Sequence, residues 1–184
     1  MAEINSQRMK RTSGNIFLIG MMGAGKTTVG KLLAQYMDKT FVDCDEEIQH
    51  RTGVTIPHIF DIEGEEGFRR RESSAIQELV IRDNVVLATG GGVILSEQNR
   101  NALRDNGIVV YLKSSLSDLW RRTRHDRNRP LLQTPDPRAT LKSLYEHRDP
   151  LYMQTADLII PTGKQSAHSL VLKLQQELSL LSRA

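Results

Sequence analysis

Near the start of the chain, five residues have the types and the spacing of a polyphosphate-binding loop. They match the pattern Gly-x-x-x-x-Gly-Lys-[Ser/Thr], with one additional glycine: Gly20, Gly23, Gly25, Lys26 and Thr27. Glycines let backbone N–H groups turn inward and approach phosphate oxygens closely. Lys26 is expected to reach the β- and γ-phosphates of a bound polyphosphate, and the Thr27 hydroxyl is expected to ligate Mg²⁺. The first chemistry that the sequence indicates is therefore polyphosphate binding.

The flanking residues predict the strand and the helix that would position this loop. Ile16–Ile19 is a short apolar run that favours a strand. Apolar side chains then recur at helical spacing, at Val29, Leu32, Leu33 and Tyr36. A helix beginning there would add its N-terminal dipole to the loop. The alternative is an ordinary glycine-rich turn, but average composition produces the bare pattern by chance in fewer than about one in fifty chains of this length.

A pair of carboxylates, Asp43 and Asp45, follows the β-prone run Thr40–Val42. If the extended conformation continues, both side chains lie on the same side, because side chains alternate along a strand. One could then hold Mg²⁺ through water while the other contacts a substrate hydroxyl. The alternative is a solvated turn with an Asp helix cap. Cys44, between the two, is predicted to be a buried spacer rather than a nucleophile.

Three consecutive glycines, Gly90–Gly92, follow another apolar run, Val85–Ala88. At the end of a buried strand, they would let a ring or a carboxylate lie against bare backbone N–H groups. Taken alone, the triplet is equally compatible with a flexible turn.

Arginine outnumbers lysine by 17 to 8 and is concentrated in a few places. Since the planar guanidinium group suits carboxylate and phosphate, this bias indicates small anionic ligands or nucleic acid. Consecutive residues of a helix point about 100° apart, so at most two of Arg69–Arg71 can face a site. The spacing does not choose between them.

Two further arginines are candidates for contact with a ligand. Arg129 lies in Arg121–Pro137, a polar segment broken by prolines that we predict to be a mobile loop. An arginine on a closing loop can neutralise charge on a transferring phosphoryl group. Arg148 follows a helix predicted over Ala139–His147 and precedes the turn-like Asp149–Pro150. It could join the site as a second clamp on a carboxylate.

The whole chain has the composition of a single soluble globular domain. It has 184 residues, of which 39% are hydrophobic and 26% are charged, and its formal net charge is +3. No apolar run approaches the roughly 18 residues of a membrane span. Residues 1–14 lack the apolar core of a secretory signal, so we expect a flexible leader there. A lone cysteine excludes an internal disulfide and fits a reducing cytoplasm.

Strand and helix patterns alternate along the rest of the chain. Further strands are predicted at Ile108–Leu112 and Leu158–Ile160. Further helices are predicted at Glu46–Arg51, Thr55–Ile62, Phe68–Arg82 and Glu97–Asp105, after Ser115, and at Ser166–Leu181. This alternation predicts an α/β fold with a mostly parallel sheet. Ligands gather at the carboxyl ends of the strands in such sheets, so the loops at Gly20, Asp43 and Gly90 should form one site.

In this order, the motifs resemble those of the shikimate kinase family, and the similarity extends from Asn15 to about Leu178. The segments that carry it are Gly20–Thr28, Phe41–Asp45, Gly64–Arg69, Gly90–Gly92, Arg129–Leu132 and Arg148–Tyr152. The resemblance implies a three-layer P-loop kinase fold whose five-stranded parallel sheet, flanked by helices, has the strand order 2-3-1-4-5. It also implies transfer of the γ-phosphoryl group of ATP to the 3-hydroxyl of shikimate, a step of chorismate and aromatic amino-acid biosynthesis.

The resemblance further implies a division of the chain and roles for single residues. One kinase domain would span 15–184, with the substrate-binding region at about 45–75 and a lid at about 121–137. ATP would contact Gly23, Ala24, Gly25, Lys26, Thr27, Thr28, Arg122, Arg129 and Gln165. Shikimate would contact Asp45, Arg69, Gly91 and Arg148. One Mg²⁺ per subunit would be held by Thr27 with assistance from Asp43, and Lys26, Asp45 and Arg129 would be catalytic.

Three other functions fit part of the sequence. A related kinase could phosphorylate gluconate or a nucleotide with the same loop. Asp61–Gly64 matches the D-x-x-G motif of a GTP-driven switch, but no apolar strand precedes it and the chain has no Asn-Lys-x-Asp motif. The Arg121–Arg129 cluster could bind nucleic acid, although few aromatic residues accompany it. We expect ATP and shikimate as the partners of a cytoplasmic monomer, without nucleic acid or membrane.

Overall fold

A computed structural model describes residues 14–126 and 128–181. The strands in this part are β1 Asn15–Ile19, β2 Thr40–Asp43, β3 Val85–Ala88, β4 Gly107–Ser114 and β5 Leu158–Thr162. The α-helices are α1 Lys26–Tyr36, α2 Cys44–Thr52, α3 Ile56–Leu79, α4 Glu97–Asn106, α5 Leu116–Thr123, α6 Pro137–Thr155 and α7 Ala167–Leu181. Short 3-10 helices lie at Val93–Leu95 and Pro130–Leu132. Residues 1–13 of the predicted leader lie outside the described residues.

The strands form one parallel sheet in the order β2-β3-β1-β4-β5, as the resemblance implied. Every residue of the central strand β1 is buried, and so is every residue of β3. β3 and the part of β1 after Asn15 are continuous apolar runs, because helices cover both faces of a parallel sheet of this kind. The chain leaves β1 at the middle of the carboxyl edge, where the phosphate loop begins.

Capping side chains explain where several helices begin. Thr55, Ser96, Ser115 and Asp136 each accept a hydrogen bond from the backbone N–H three residues further on. Such a cap satisfies one of the N–H groups that the first turn of a helix leaves without a partner. The predicted helix after Ser115 is confirmed in this way, and the other predicted helices begin within a few residues of the observed ones.

Helix α3 is bent at Gly64, where the predicted break falls. Gly64 has φ 68° and ψ −176°, values that lie outside the helical region, and the helix resumes directly after it. This region of backbone conformation is open almost only to glycine. The bend joins the predicted short helix to the predicted long one without an intervening loop. Both halves of α3 then face the same cavity.

The prediction that a turn follows His147 is wrong. Helix α6 continues through Pro150 to Thr155, so Arg148 lies inside a helix instead of after one. Proline removes one backbone hydrogen bond, but tertiary contacts on either side hold the helix in place. Asp149 accepts hydrogen bonds from the Tyr111 hydroxyl at 2.6 Å and from Lys113 Nζ at 3.1 Å.

The predicted loop Arg121–Pro137 begins later than expected. Arg121, Arg122 and Thr123 belong to α5, whose last residue is buried. The Thr123 hydroxyl donates to the Leu119 carbonyl at 2.8 Å, which ties the last turn of the helix to the preceding one. The non-helical lid segment is therefore 124–136, interrupted by one 3-10 turn, and Arg127 within it lies outside the described residues.

Of the helices described, none is long and apolar enough to cross a membrane.

Candidate active site

The phosphate loop joins β1 to α1 and opens into a cavity at the carboxyl edge of the sheet. Gly25, the residue before α1, has φ 93°, a left-handed conformation that favours glycine. The Lys26 ammonium group donates to the carbonyls of Gly20 at 2.7 Å and Met21 at 2.9 Å. The predicted ATP-binding residues that line this phosphate cavity are Gly23, Gly25, Lys26, Thr27, Thr28, Arg122 and Arg129.

The pKa of Lys26 is lowered from 10.5 to about 8. Burial is the largest cause, since it disfavours the charged ammonium group, and the positive charges of Arg129 and Arg148 act in the same direction. Asp45 and Asp43 oppose the shift. The phosphate cavity thus holds the basic side chains of Lys26 and Arg129 close to the carboxylates of Asp43 and Asp45.

Thr27 and Asp43 provide two oxygens at one edge of the phosphate cavity. The Thr27 hydroxyl donates to Asp43 Oδ2 at 2.7 Å. Asp43 Oδ1 accepts from the backbone N–H groups of Asp45 and Glu46, at 3.0 Å and 3.4 Å, and so caps α2. Asp43 is therefore a helix cap, as the alternative interpretation predicts, and its other oxygen is directed at the phosphate loop. Hydroxyl and carboxylate oxygens are the donor types that Mg²⁺ prefers.

Asp45 reaches the site from a helix and not from a strand. The extended conformation ends at Asp43, so the alternation argument that put both carboxylates on one side is wrong. The second residue of α2 nevertheless lines both the phosphate cavity and the cavity next to it. Burial raises the pKa of Asp45, the charge of Asp43 raises it further, and Lys26 opposes both. Asp45 Oδ1 is buried and has no hydrogen-bond partner among the described residues.

The second cavity, called here the acceptor cavity, lies between the phosphate loop, α3, α6 and the lid segment. Its polar lining includes Asp45, Arg69, Glu72, Arg129 and Arg148, and its apolar lining includes Met22, Ile56, Phe60, Phe68 and Leu131. Four of its lining residues also line the phosphate cavity: Met22, Asp45, Gly91 and Arg129. The two cavities are therefore parts of one site.

Of the three consecutive arginines, Arg69 faces the acceptor cavity. Its guanidinium group donates to Glu72 Oε2 at 2.7 Å and to Glu65 Oε1 at 3.0 Å. Arg70 and Arg71 are held at the surface by ion pairs with Glu66 and Glu63. The choice that the spacing left open is made by helix geometry, because only one of the three side chains points inward.

Arg148 is the least screened charge of the site. Its side chain is 2% exposed, and its Nε and Nη1 have no hydrogen-bond partner among the described residues. Burial lowers the pKa of Arg148, since desolvation disfavours the charged form. A buried guanidinium group facing a cavity without a carboxylate partner is a site for an anionic ligand.

Close approach of side chains favours glycine at the first and third positions of the triplet. A Cβ at Gly90 would meet Glu72 Oε1, and a Cβ at Gly92 would meet the guanidinium group of Arg69. At Gly91 the nearest atoms would be Met22 N at 3.5 Å and Arg148 Nη1 at 3.6 Å. The triplet therefore forms a surface beside which the side chains of Arg69 and Glu72, from α3, and Arg148, from α6, lie.

Arg129 extends from the lid segment to the boundary between the two cavities. Its Nε donates to Asp126 Oδ2 at 2.9 Å. Arg122, from α5, donates to the carbonyls of Gly23 at 3.0 Å and Gly163 at 3.4 Å. An adjoining pocket is lined by Arg122 together with Ala24 and Gln165, so every predicted ATP-contact residue lies at one of two connected pockets.

Sequence reasoning missed Glu72 and the aromatic wall of the acceptor cavity. Glu72 is 1% exposed, and burial raises its pKa, opposed by Arg69. Its spacing of three residues from Arg69 on a helix was the available signal. Phe60 and Phe68, whose ring centroids lie 5.0 Å apart, come from the two halves of the bent helix α3 and could not be paired without the bend.

The locations of Cys44 and of the Asp61–Gly64 motif in the fold test two other predictions from the sequence. Cys44 is fully buried, and burial raises the pKa of its thiol well above the usual range, so the spacer interpretation is confirmed. Asp61–Gly64 lies within α3 and ends at the bend, not behind a strand, so it does not have the setting of a GTPase switch.

Comparison with known proteins gives three findings. A family model described as shikimate kinase matches residues 22–179. The shikimate kinase of Nitrosospira multiformis is 59% identical over 174 residues, which are 95% of this chain and 89% of that protein. A structure of shikimate kinase from Acinetobacter baumannii in complex with shikimate matches with a TM-score of 0.90 at 46% identity, over 95% of this chain and 97% of that one.

The sheet is parallel with the order given above, and the phosphate loop at its central strand lies next to a cavity lined with arginines. Together, these features define a P-loop kinase of small molecules. The family model covers most of the chain. The chain belongs to the shikimate kinase family.

Proposed function

We propose that the protein transfers the γ-phosphoryl group of ATP to the 3-hydroxyl of shikimate, giving shikimate 3-phosphate and ADP. The observation that carries this proposal is the convergence of Arg69 and Arg148, from different helices, on a cavity that shares Asp45 with the phosphate cavity. An acceptor with a carboxylate at one end and hydroxyl groups at the other fits this arrangement.

The acceptor is held by its carboxylate and by its ring. Arg148, which is buried without a carboxylate partner, and Arg69 bind the carboxylate from two sides, and the Gly91 backbone contacts the substrate. Phe60 and Phe68 cover the apolar part of the ring. Two charged contacts on one group fix its orientation, which brings the reacting hydroxyl to Asp45 beside the phosphate loop.

The donor binds along the phosphate loop. Residues Gly23–Thr28 surround the phosphates, Lys26 contacts the β- and γ-phosphates, and Arg122 and Gln165 border the adenine. Arg129, at the boundary of the two cavities, neutralises charge on the phosphoryl group in transit. Asp45 orients the attacking hydroxyl and accepts its proton. Because transition states of phosphoryl transfer are loose, positioning and charge stabilisation contribute more than proton abstraction.

Magnesium is the expected metal cofactor, one ion per subunit. Thr27 is its protein ligand, and Asp43, hydrogen-bonded to the Thr27 hydroxyl, assists through water. Among the residues described, no group of three or more His, Cys, Asp or Glu side chains could hold a metal, which suits an ion bound mostly by phosphates and water. When bound, Mg²⁺ neutralises phosphate charge.

Within the predicted range 121–137, the non-helical segment 124–136 acts as the lid, and 45–75 acts as the substrate-binding region of a single domain. The protein works as a monomer in the cytoplasm, in the pathway to chorismate and the aromatic amino acids. A lone buried cysteine is consistent with a reducing compartment.

The test is an assay of ADP formation with ATP and Mg²⁺, with and without acceptors. ADP release that depends on shikimate is expected, together with a product phosphorylated at the 3-position by NMR. The methyl ester of shikimate keeps the hydroxyl groups but loses the carboxylate charge, so its KM should be much higher. Turnover that is faster with gluconate or a nucleoside monophosphate would identify a related kinase instead. ADP release without any acceptor would reject the proposal.

A further inference from the structure

We propose that Tyr152 is a positioning residue for the acceptor, whose hydroxyl holds the Gly91 carbonyl and thereby fixes the glycine triplet against Arg148. The inference rests on the proposed function, since it names a residue that supports the acceptor cavity without lining it. Tyr152 lies one helical turn after Arg148 on α6, and its side chain is 1% exposed.

The contact that carries the proposal is a short hydrogen bond across the fold. The Tyr152 hydroxyl donates to the Gly91 carbonyl oxygen at 2.5 Å. The bond links α6 to the loop after β3, segments 61 residues apart in the chain. Because a peptide unit is planar, holding the Gly91 carbonyl also fixes the plane of the Gly91–Gly92 peptide, which lines the acceptor cavity.

The same tyrosine lies next to the buried guanidinium group of the cavity. A Cβ at Gly91 would be 3.6 Å from Arg148 Nη1, so the guanidinium group lies beside the space that a side chain at this position would fill. Burial raises the pKa of Tyr152 far above its usual range, and the charge of Arg148 opposes the shift. The hydroxyl therefore stays protonated at every working pH and remains a donor. One turn of α6 thus carries both Arg148 and Tyr152, the residue that holds the loop.

A stacked partner provides a matched control within the same structure. The rings of Tyr152 and Tyr111 lie 4.9 Å apart at an angle of 25°, and both side chains are buried. The Tyr111 hydroxyl, however, donates to Asp149 Oδ1 at 2.6 Å and not to the glycine triplet. The Tyr152 hydroxyl also lies 3.9 Å from Met21 Sδ. Replacing either tyrosine with phenylalanine keeps the stacked ring and removes the hydrogen bonds of its hydroxyl, but only the Tyr152 hydroxyl contacts a residue that lines the acceptor cavity.

The kinetic experiment compares Tyr152→Phe with Tyr111→Phe. In Tyr152→Phe, the KM for shikimate should rise by about tenfold, because Gly91 is the predicted acceptor contact of the triplet. The KM for ATP should stay within about twofold, because the lining of the phosphate cavity that binds the phosphates, Gly23–Thr28, does not include Tyr152. In Tyr111→Phe, both KM values should stay within about twofold of the wild-type values. Thermal unfolding of the two variants shows whether they lose similar stability. An unchanged KM for shikimate in Tyr152→Phe, or equal rises in both variants, would overturn the proposal.

A second measurement does not depend on the identity of the acceptor. Amide hydrogen exchange of the Gly90–Gly92 segment should become faster in Tyr152→Phe and stay unchanged in Tyr111→Phe. If the wild-type protein fails to phosphorylate shikimate, the proposed function falls and this exchange measurement still decides the role of Tyr152. Exchange that is unchanged in Tyr152→Phe would show that its hydroxyl does not fix the loop.

Discussion

The position of Arg148 suits the binding of an anionic ligand but lowers the stability of the folded protein. A buried charge whose Nε and Nη1 have no hydrogen-bond partner among the described residues is unfavourable, and nearby Arg69 adds like-charge repulsion. Folding tolerates the arrangement because Arg69 is neutralised by Glu72 and Glu65, which leaves the charge of Arg148 directed at the cavity. In the proposed function, the carboxylate of the acceptor completes this set of charges.

Arg148→Lys tests whether the planar guanidinium group, and not charge alone, binds the acceptor. Lysine keeps the charge but loses the fork that grips a carboxylate with two parallel bonds. We expect the KM for shikimate to rise by about tenfold, equivalent to about 1.4 kcal/mol, with little change in the KM for ATP. Arg70→Lys is the control, since Arg70 pairs with Glu66 at the surface. A normal KM for shikimate in Arg148→Lys would argue against the clamp.

The lowered pKa of Lys26 predicts an alkaline limit to ATP binding. Because the pKa is about 8 instead of 10.5, the ammonium group loses its proton as the pH rises through 8, and with it the attraction for phosphate. The kcat/KM for ATP should be level below about pH 7.5 and fall above pH 8, since this ratio reports the free enzyme. In Lys26→Arg, activity should be lower throughout but without a decline near pH 8. A decline at the same pH in that variant would assign it to another group.

At the scale of elements, the bend at Gly64 determines the shape of the acceptor cavity. It directs Ile56 and Phe60 from one half of α3, and Phe68 and Arg69 from the other, towards the same space. In a straight helix, Ile56 and Arg69 would lie about 20 Å apart along the axis, too far apart to contact one small molecule.

Gly64→Ala should therefore lower both stability and acceptor binding. Alanine in this backbone region is strained by about 1–3 kcal/mol. In a chain of this size, the loss corresponds to a fall in Tm of about 2–12 °C. Gly163→Ala is the stability control, because Gly163 has open space around it and no left-handed φ. Equal Tm values for the two variants would contradict the strain at Gly64.

The elements also show what can be predicted from the sequence. The strand, loop and helix around Gly20–Thr28 were predictable because composition, glycine spacing and apolar periodicity are all local. The path of the chain after His147 was not, since the contacts of Asp149 with Tyr111 and Lys113 cross from α6 to β4. For the same reason, motif resemblance found Arg69 and Arg148, whereas Glu72 and Tyr152, whose roles depend on tertiary contacts, were missed.

At the scale of the whole molecule, the described residues of the lid segment 124–136 lie outside the α-helices and strands and form one 3-10 turn. Trypsin should cleave after the exposed Arg124 in the free protein, and ATP with shikimate should slow that cleavage about tenfold or more. Cleavage at Lys173, which is exposed but lies within α7, should be slow and insensitive to ligands. Cleavage after Arg124 at the same rate with and without ligands would argue against a lid that orders over them.

The position of Arg129 at the boundary of both cavities has a thermodynamic consequence. A side chain that contacts two ligands has to be immobilised only once, so the ligand that binds second does not bear that loss of freedom again. Linkage then requires ATP to strengthen shikimate binding by the same factor by which shikimate strengthens ATP binding. In the proposed function, Arg129 thus couples the binding of the two substrates, and the complex with both substrates is favoured over the complex with ATP alone.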